Sequence, residues 1–327
     1  MNTLKNKEKV CVLILVYFGR FNNYYPLFLK SCAMNPGFDW FIFTDNVDYY
    51  DYPENVFVIQ TTLDEVRVKA REKFGFEVVL DSPHKLCDYK PAYGLLFENY
   101  IVEYKYWGYC DCDLIFGNLE QILLPLLNEG YDKLFAAGHL TLYRNTYDNN
   151  RRFMKDMNGR YLYREAYTTN DTFVLDEDWG GHDNVHTIFL MDGCRVYEND
   201  LCMNPAITSA RFMRDYYCPE LHEFVKEKYK KARYFWIYGN IFRLEWNGKI
   251  ICTEYLYIHL QRRKMRVKCS LKSPIIEILP DRFIDVKRLP RTKWEVRFSL
   301  RQIFNLYWYD VYLKKLERKI LKCIDNL

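Results

Sequence analysis

The 327-residue sequence is short of the two residues that most often interrupt regular structure, with 14 glycines and 11 prolines. It shows no low-complexity run and no internal repeat, which excludes a largely disordered chain or a solenoid. It has no stretch of 18 apolar residues free of charge, so no membrane-spanning helix is expected. The apolar run near the start, Val10 to Phe18, is nine residues long and has no small-residue cleavage site after it. We read it as a strand rather than a signal peptide. Its 11 cysteines include no Cys-x-x-Cys pair. That argues against a zinc ribbon or a dithiol redox motif and for free thiols in a reducing cytoplasm.

What the chain does have is apolar bulk. Apolar residues make up 49% of it and aromatics 18%, enough for one large α/β core. Its charge is unevenly placed. Residues 261–327 carry 18 Lys/Arg against 7 Asp/Glu, a local +11, while residues 1–260 carry 29 against 36, or −7. A basic tail on an acidic body suits a partner bearing phosphates.

The run VCVLILVYFG (10–19) is nearly continuous in apolar and β-branched residues, as a central parallel strand should be. A helix is expected at 25–34, strands at 38–46 and 55–62, and a helix at 63–75 ending on a glycine. KPAYGLLFENYIVEY reads as a helix with Pro91 near its start, followed by a strand to Cys110, a helix at 119–128 and a strand from Lys133 to Asn145. This alternation predicts a mixed, mostly parallel sheet with helices on both faces. Asn247-Gly248 between two β-rich runs predicts a C-terminal hairpin, and residues 300–323 read as a long helix. We expect one domain over 1–265 and a basic helical extension over 266–327.

The segment EYKYWGYCDCDLIFGNLEQIL (103–123) raises the chemical question. Asp111 and Asp113 end an aromatic strand, two residues apart and so on one face, where α/β sheets bind ligands. Carboxylates placed there need a positive partner, and a hard divalent ion, Mg²⁺ or Mn²⁺, meets that need. By itself Asp-x-Asp is also an ordinary solvated turn or a helix cap.

The stretch DCDLIFGNLEQIL resembles the Asp-x-Asp segment of nucleotide-sugar glycosyltransferases of the GT-A fold, nearest the retaining bacterial lipopolysaccharide and capsule type. VCVLILVYFG and FDWFIFTDN resemble that family's first two nucleotide-binding strands, CDYKPAYGLLF its Lys-bearing segment, and YIHLQRRKM its late His-containing segment. The likeness runs in order from about residue 8 to 265. It implies a GT-A-like α/β fold and sugar transfer from a nucleotide donor, UDP-sugar first, to a glycan or lipid-linked glycan. Asp111, Asp113 and His259 would hold Mn²⁺ or Mg²⁺. Tyr17, Asp45, Asp88, Lys90, Asp111 and Lys264 would meet the donor, with Asp88 orienting Lys90. Locally, His259 reads equally as a surface histidine beside a basic run, and Asp88 with Lys90 as a helix-start ion pair.

VLDEDWGGHDNVHTIF (174–189) crowds three acids, Trp179 and two histidines together. As a transferase element it is an acceptor loop, with Glu177 and Asp178 as the catalytic carboxylates, Trp179 against the acceptor sugar, and a helix from His182 to Leu190. His182 and His186 one helical turn apart, with Asp178, could instead bind zinc and serve a phosphoester hydrolase. His139 and Arg144, on the neighbouring strand, are also assigned to the acceptor. For the tail, with Phe304, Tyr307, Trp308 and Tyr312 ahead of a lysine cluster, we expect peripheral attachment to the anionic inner face of the plasma membrane. A non-catalytic membrane- or polyanion-binding module is the remaining alternative. Nucleic acid is not expected, because the basic runs lack a reading motif.

Overall fold

The computed structural model describes residues 10–298 and 305–324. Its centre is a seven-stranded sheet in the order β3-β2-β1-β4-β7-β6-β8. The strands are β1 (Cys11–Val16), β2 (Phe38–Thr44), β3 (Val56–Gln60), β4 (Tyr106–Cys110), β6 (Lys133–Leu134), β7 (Leu140–Arg144) and β8 (Val196–Tyr197). The block β3-β2-β1-β4 is parallel throughout, while β7 runs antiparallel to β4. The mixed α/β class read from the sequence is the one observed.

The uninterrupted apolar run of β1 is explained by burial on both sides. Val12, Ile14 and Val16 enter one core with the helix Leu63–Phe74 and the segment 86–101. Cys11, Leu13 and Leu15 enter the other, beneath the helices Tyr25–Ala33 and Leu119–Asn128. Capping follows the sequence signals: Thr62 and Glu65 form a capping box, and Gly75 closes that helix at φ 73°.

A second sheet has the order β13-β12-β11-β16-β17-β15. Its strands are β11 (Ala232–Ile237), β12 (Asn240–Asn247), β13 (Lys249–Tyr255), β15 (Arg266–Lys268), β16 (Ile275–Leu279) and β17 (Arg282–Asp285). The Asn247-Gly248 hairpin joins β12 to β13, with Gly248 at φ 73°. Two small pairings complete the fold: β9 (Asp215–Cys218) with β10 (Glu223–Lys226), and β5 (Leu114–Phe116) with β14 (Tyr257–His259).

Several expectations are corrected. Residues 266–285 are strands, not helix, because β16 pairs with β11 across the proposed boundary at 265. The tail helix spans Tyr307–Ile324, and Phe304 lies outside the described residues. The expected helix after Pro91 is broken into short turns from Leu86 to Ile101. The expected strand 133–145 folds back on itself, since Phe135 takes φ 73° and β6 pairs antiparallel with β7. The helix after the acid loop starts at Val185, where the Asn184 side chain accepts from the Thr187 amide. His182 is therefore not on the helical turn that carries His186.

Candidate active site

Strand β4 ends at Cys110, and the chain turns through Asp111, Cys112 and Asp113 into β5. Cys112 is buried, while both carboxylates are partly exposed. The pairing of β5 with β14 sets His259 opposite Leu114, and the Leu260 amide donates to the Asp113 carbonyl (3.0 Å). His259 is thereby fixed beside Asp113, its Nε2 3.3 Å from Asp113 Oδ1. One ligand atom each from Asp111, Asp113 and His259 lies within 4.8 Å of the others.

The chemistry of this set fits a divalent ion. Two carboxylate oxygens and an imidazole nitrogen suit Mn²⁺, and Asp113 Oδ1 is buried with no hydrogen-bond donor aligned to it. Behind the imidazole, Nδ1 lies 3.2 Å from Asn204 Oδ1, which leaves Nε2 facing the carboxylates. Burial works against charge on both partners, yet their attraction prevails. It holds the Asp113 carboxyl below its usual range and raises His259 above the usual imidazole value.

Lys90 supplies the positive charge beside the pair. Its Nζ lies 2.9 Å from Asp111 Oδ1 and 3.2 Å from Asp176 Oδ2, and it donates to the Gly138 carbonyl at 2.7 Å. Burial opposes its charge, but Asp111 and Asp176 outweigh it and raise Lys90 well above an ordinary lysine. Gly138 leaves room for this contact: a Cβ at this position would sit 2.7 Å from Asp176 Oδ2, and the carboxylate would have to shift. Burial pushes the Asp176 carboxyl up to about 6, with Lys90 opposing it. It pushes Glu177 up to about 7, with Asp176 adding to the rise. A pocket of about 180 Å³ opens at this point, lined by Val16, Tyr17, Lys90, Tyr93, Asp111 and Asp113 among others.

The structure thus brings Tyr17, Lys90, Asp111, Asp113, Glu177 and His259 to one end of the sheet. His139 lies there too, but as a buried neutral group. Burial and the neighbouring His259 hold its pKa well down, Tyr257 Oη lies 2.7 Å from its Nδ1, and its ring centroid is 4.4 Å from that of His259. Asp45 accepts from the Gly19 amide (2.7 Å) at the neighbouring strand ends. Lys264 is exposed in the turn after β14, and Trp179 is exposed with its ring edge-on to His182.

Three of the expected site residues hold contacts away from this cluster. Asp178 is buried and spent: it accepts from the Tyr217 hydroxyl and Asn184 Nδ2 (2.8 Å), with His222 Nδ1 at 3.2 Å, and so ties the acid loop to the β9–β10 hairpin. Asp88 does not orient Lys90; it pairs with buried Lys85 (2.9 Å) and accepts from the Phe173 and Leu175 amides. Arg144 pairs with Tyr106, at the opposite end of β4 from Asp111. The zinc arrangement is not formed either. His186 lies between Lys133 (3.0 Å) and Glu198 (3.1 Å), and Asp111, Asp113 and His259 are the only convergent group of three among the described residues.

Sequence reasoning passed over Asp176, although it stands in the same acid run, and Asn204, for which no local signal exists.

The site is a carboxylate–imidazole centre braced by a lysine at the C-terminal edge of an α/β sheet. The chain belongs to the family of unknown function DUF6625, whose model matches residues 13–287. No curated protein matches it. Among solved structures, galactosyltransferase LgtC in complex with donor and acceptor sugar analogues overlaps 60% of this chain and 76% of its own, at 9% identity and a TM-score of 0.35. An active-site mutant of LgtC overlaps the same shares at 12% identity and a TM-score of 0.34. An overlap this loose assigns no activity.

Proposed function

We propose that this chain is a divalent-metal-dependent glycosyltransferase that moves a sugar from a nucleoside-diphosphate donor, UDP-sugar first, to a bacterial surface glycan. The observation that carries the reading is the convergence of Asp111, Asp113 and His259 beside Lys90 at the mouth of a strand-end pocket. A Mn²⁺ or Mg²⁺ ion held by those three side chains would offset the negative charge that develops on a departing diphosphate.

The protein's own groups have separable roles. Lys90 holds Asp111 in place and adds positive charge at the pocket wall. Tyr17, at the end of β1, offers a ring to the nucleotide. Glu177, with its carboxyl near 7, can take up or release a proton at neutral pH. It replaces Asp178 as the acceptor-side carboxylate. Retention of configuration remains our preferred course, following the family resemblance, with Glu177 lining the sugar face.

The test is a thermal-shift panel of UDP, GDP, CDP and TDP with and without Mn²⁺. A ligand at a hundredfold excess over its Kd stabilises the native state by about 2.7 kcal/mol. We expect UDP to stabilise only with the metal, and Asp113→Asn to abolish the effect. Stabilisation by no nucleotide in any metal condition would overturn the reading.

A further inference from the structure

The tail helix Tyr307–Ile324 docks on the domain through its first turns. Tyr307 and Val311 are buried, the Tyr307 hydroxyl donates to the Ile207 carbonyl (2.9 Å), and the Arg263 guanidinium lies 3.9 Å from the centre of its ring. Beside this contact, helix and domain frame a cavity of about 800 Å³, against about 180 Å³ for the strand-end pocket. Its domain side is built from segments that leave the metal centre. Thr208 to Met213 follow Asn204, which backs His259, and Arg266 follows His259 itself.

The lining is strongly cationic. Arg211, Arg266, Arg282 and Lys315 contribute to it, with Asp281 as the one acid among the described lining residues. Asp281 is already surrounded: Arg266 Nη2 lies at 2.6 Å and Arg282 Nη1 at 2.8 Å, and the Leu306 amide donates to it at 2.9 Å. Arg266 Nε is buried with no acceptor aligned to it. Arg211 and Lys315 lie over rings, those of Tyr229 (5.0 Å) and Tyr312 (5.5 Å), and neither pairs with a carboxylate among the described residues. Four cations against one acid leave an excess of three positive charges around one cavity, which an anionic ligand offsets.

Aromatic rings form the helix side. Trp308, Tyr309 and Tyr312 are half-exposed, and the rings of Trp308 and Tyr312 lie against each other with centroids 4.1 Å apart. That closes the slot a nucleobase would need and leaves a flat, amphipathic ledge, which suits the C–H face of a pyranose. The volume fits a ligand of several rings rather than a lone phosphate. We propose that this cavity is a binding subsite for an anionic glycan, a chain of sugars bearing carboxylate or phosphate groups. Arg211, Arg266 and Lys315 meet its charges, and the aromatic ledge lies under one of its rings. If the transferase reading holds, this ligand is the already-built part of the acceptor, held away from the carboxylate–imidazole centre.

The experiment is calorimetry on the full chain with trigalacturonate, mannose 6-phosphate, neutral maltotriose and UMP, all in EDTA. With no metal and no sugar donor present, the outcome is independent of whether UDP binds with Mn²⁺. We expect both anionic sugars to bind, and maltotriose to bind at least about tenfold more weakly than trigalacturonate, the scale of one charge-assisted contact. Arg211→Ala/Lys315→Ala should weaken trigalacturonate by a similar factor at an unchanged melting temperature, because neither side chain is paired with an acid. Asp113→Asn should leave that affinity as it is. A chain that binds neither anionic sugar, whether or not it sediments with phosphatidylglycerol vesicles, overturns the proposal. So does trigalacturonate binding that maltotriose equals or the double variant keeps, or UMP binding that is tighter and is lost in the double variant.

Discussion

Lys90 Nζ lies 2.9 Å from Asp111 Oδ1, and this ion pair joins the broken helical segment after Leu86 to the end of β4. The same ammonium reaches Asp176 at 3.2 Å. One lysine therefore contacts carboxylates from two distant parts of the chain.

Removing that lysine leaves two carboxylates facing each other in a partly desolvated site. Lys90→Met should lower stability by about 3 kcal/mol in EDTA, the scale for breaking a buried pair. Added Mn²⁺ should then raise the melting temperature of the variant more than that of the wild type, because the ion restores the missing charge. A variant that melts like wild type in EDTA would show that the pair is not structural.

Glu177 makes stability depend on pH with a definite sign. Its carboxyl stays protonated to about pH 7 in the folded protein, against 4.5 for a free side chain. Between those values the folded state binds more protons, so its contribution is complete below 4.5 and is lost as pH rises through 7. The loss is at most about 3 kcal/mol. Glu177→Gln, lacking that charge, should melt higher than wild type at about pH 8 and equally at about pH 4. Equal melting at both pH values would mean the group titrates normally.

Asp178 should behave as a structural residue. Asp178→Asn and Tyr217→Phe should each cost about 1–3 kcal/mol in urea denaturation. The double variant should cost less than their sum, because both remove one hydrogen bond. Calorimetric Mn²⁺ affinity should be unchanged in Asp178→Asn. Its collapse would return Asp178 to the site.

Gly138→Ala should disturb the site without touching a ligand. The added methyl meets Asp176 Oδ2 at 2.7 Å and disrupts the contact that helps to hold Lys90. We expect a loss of stability of about 1–3 kcal/mol in urea denaturation in EDTA, with the fold retained by circular dichroism; a variant as stable as wild type would show that Asp176 shifts aside at no cost.

The sequence by itself determined the features that depend on near neighbours. The apolar run of β1 required a strand covered on both faces, Thr62 with Glu65 began a helix, Gly75 ended it, and Asn247-Gly248 turned a hairpin. Asp111 and Asp113 were legible as a carboxylate pair at the end of an apolar strand, although the structure sets them in the turn between β4 and β5 rather than on the strand itself. Only the tertiary structure decided which distant groups meet them. His259 reaches Asp113 through the pairing of β5 with β14, which no local pattern encodes. Asp176 and Asp178, two residues apart in one acid run, have opposite fates: one faces Lys90, and the other is enclosed by Tyr217, Asn184 and His222. Hydrogen bonds and ion pairs act over a few ångströms of space. A carboxylate's role is therefore set by what the fold brings beside it, and for these two that was a lysine from one part of the chain and a tyrosine from another.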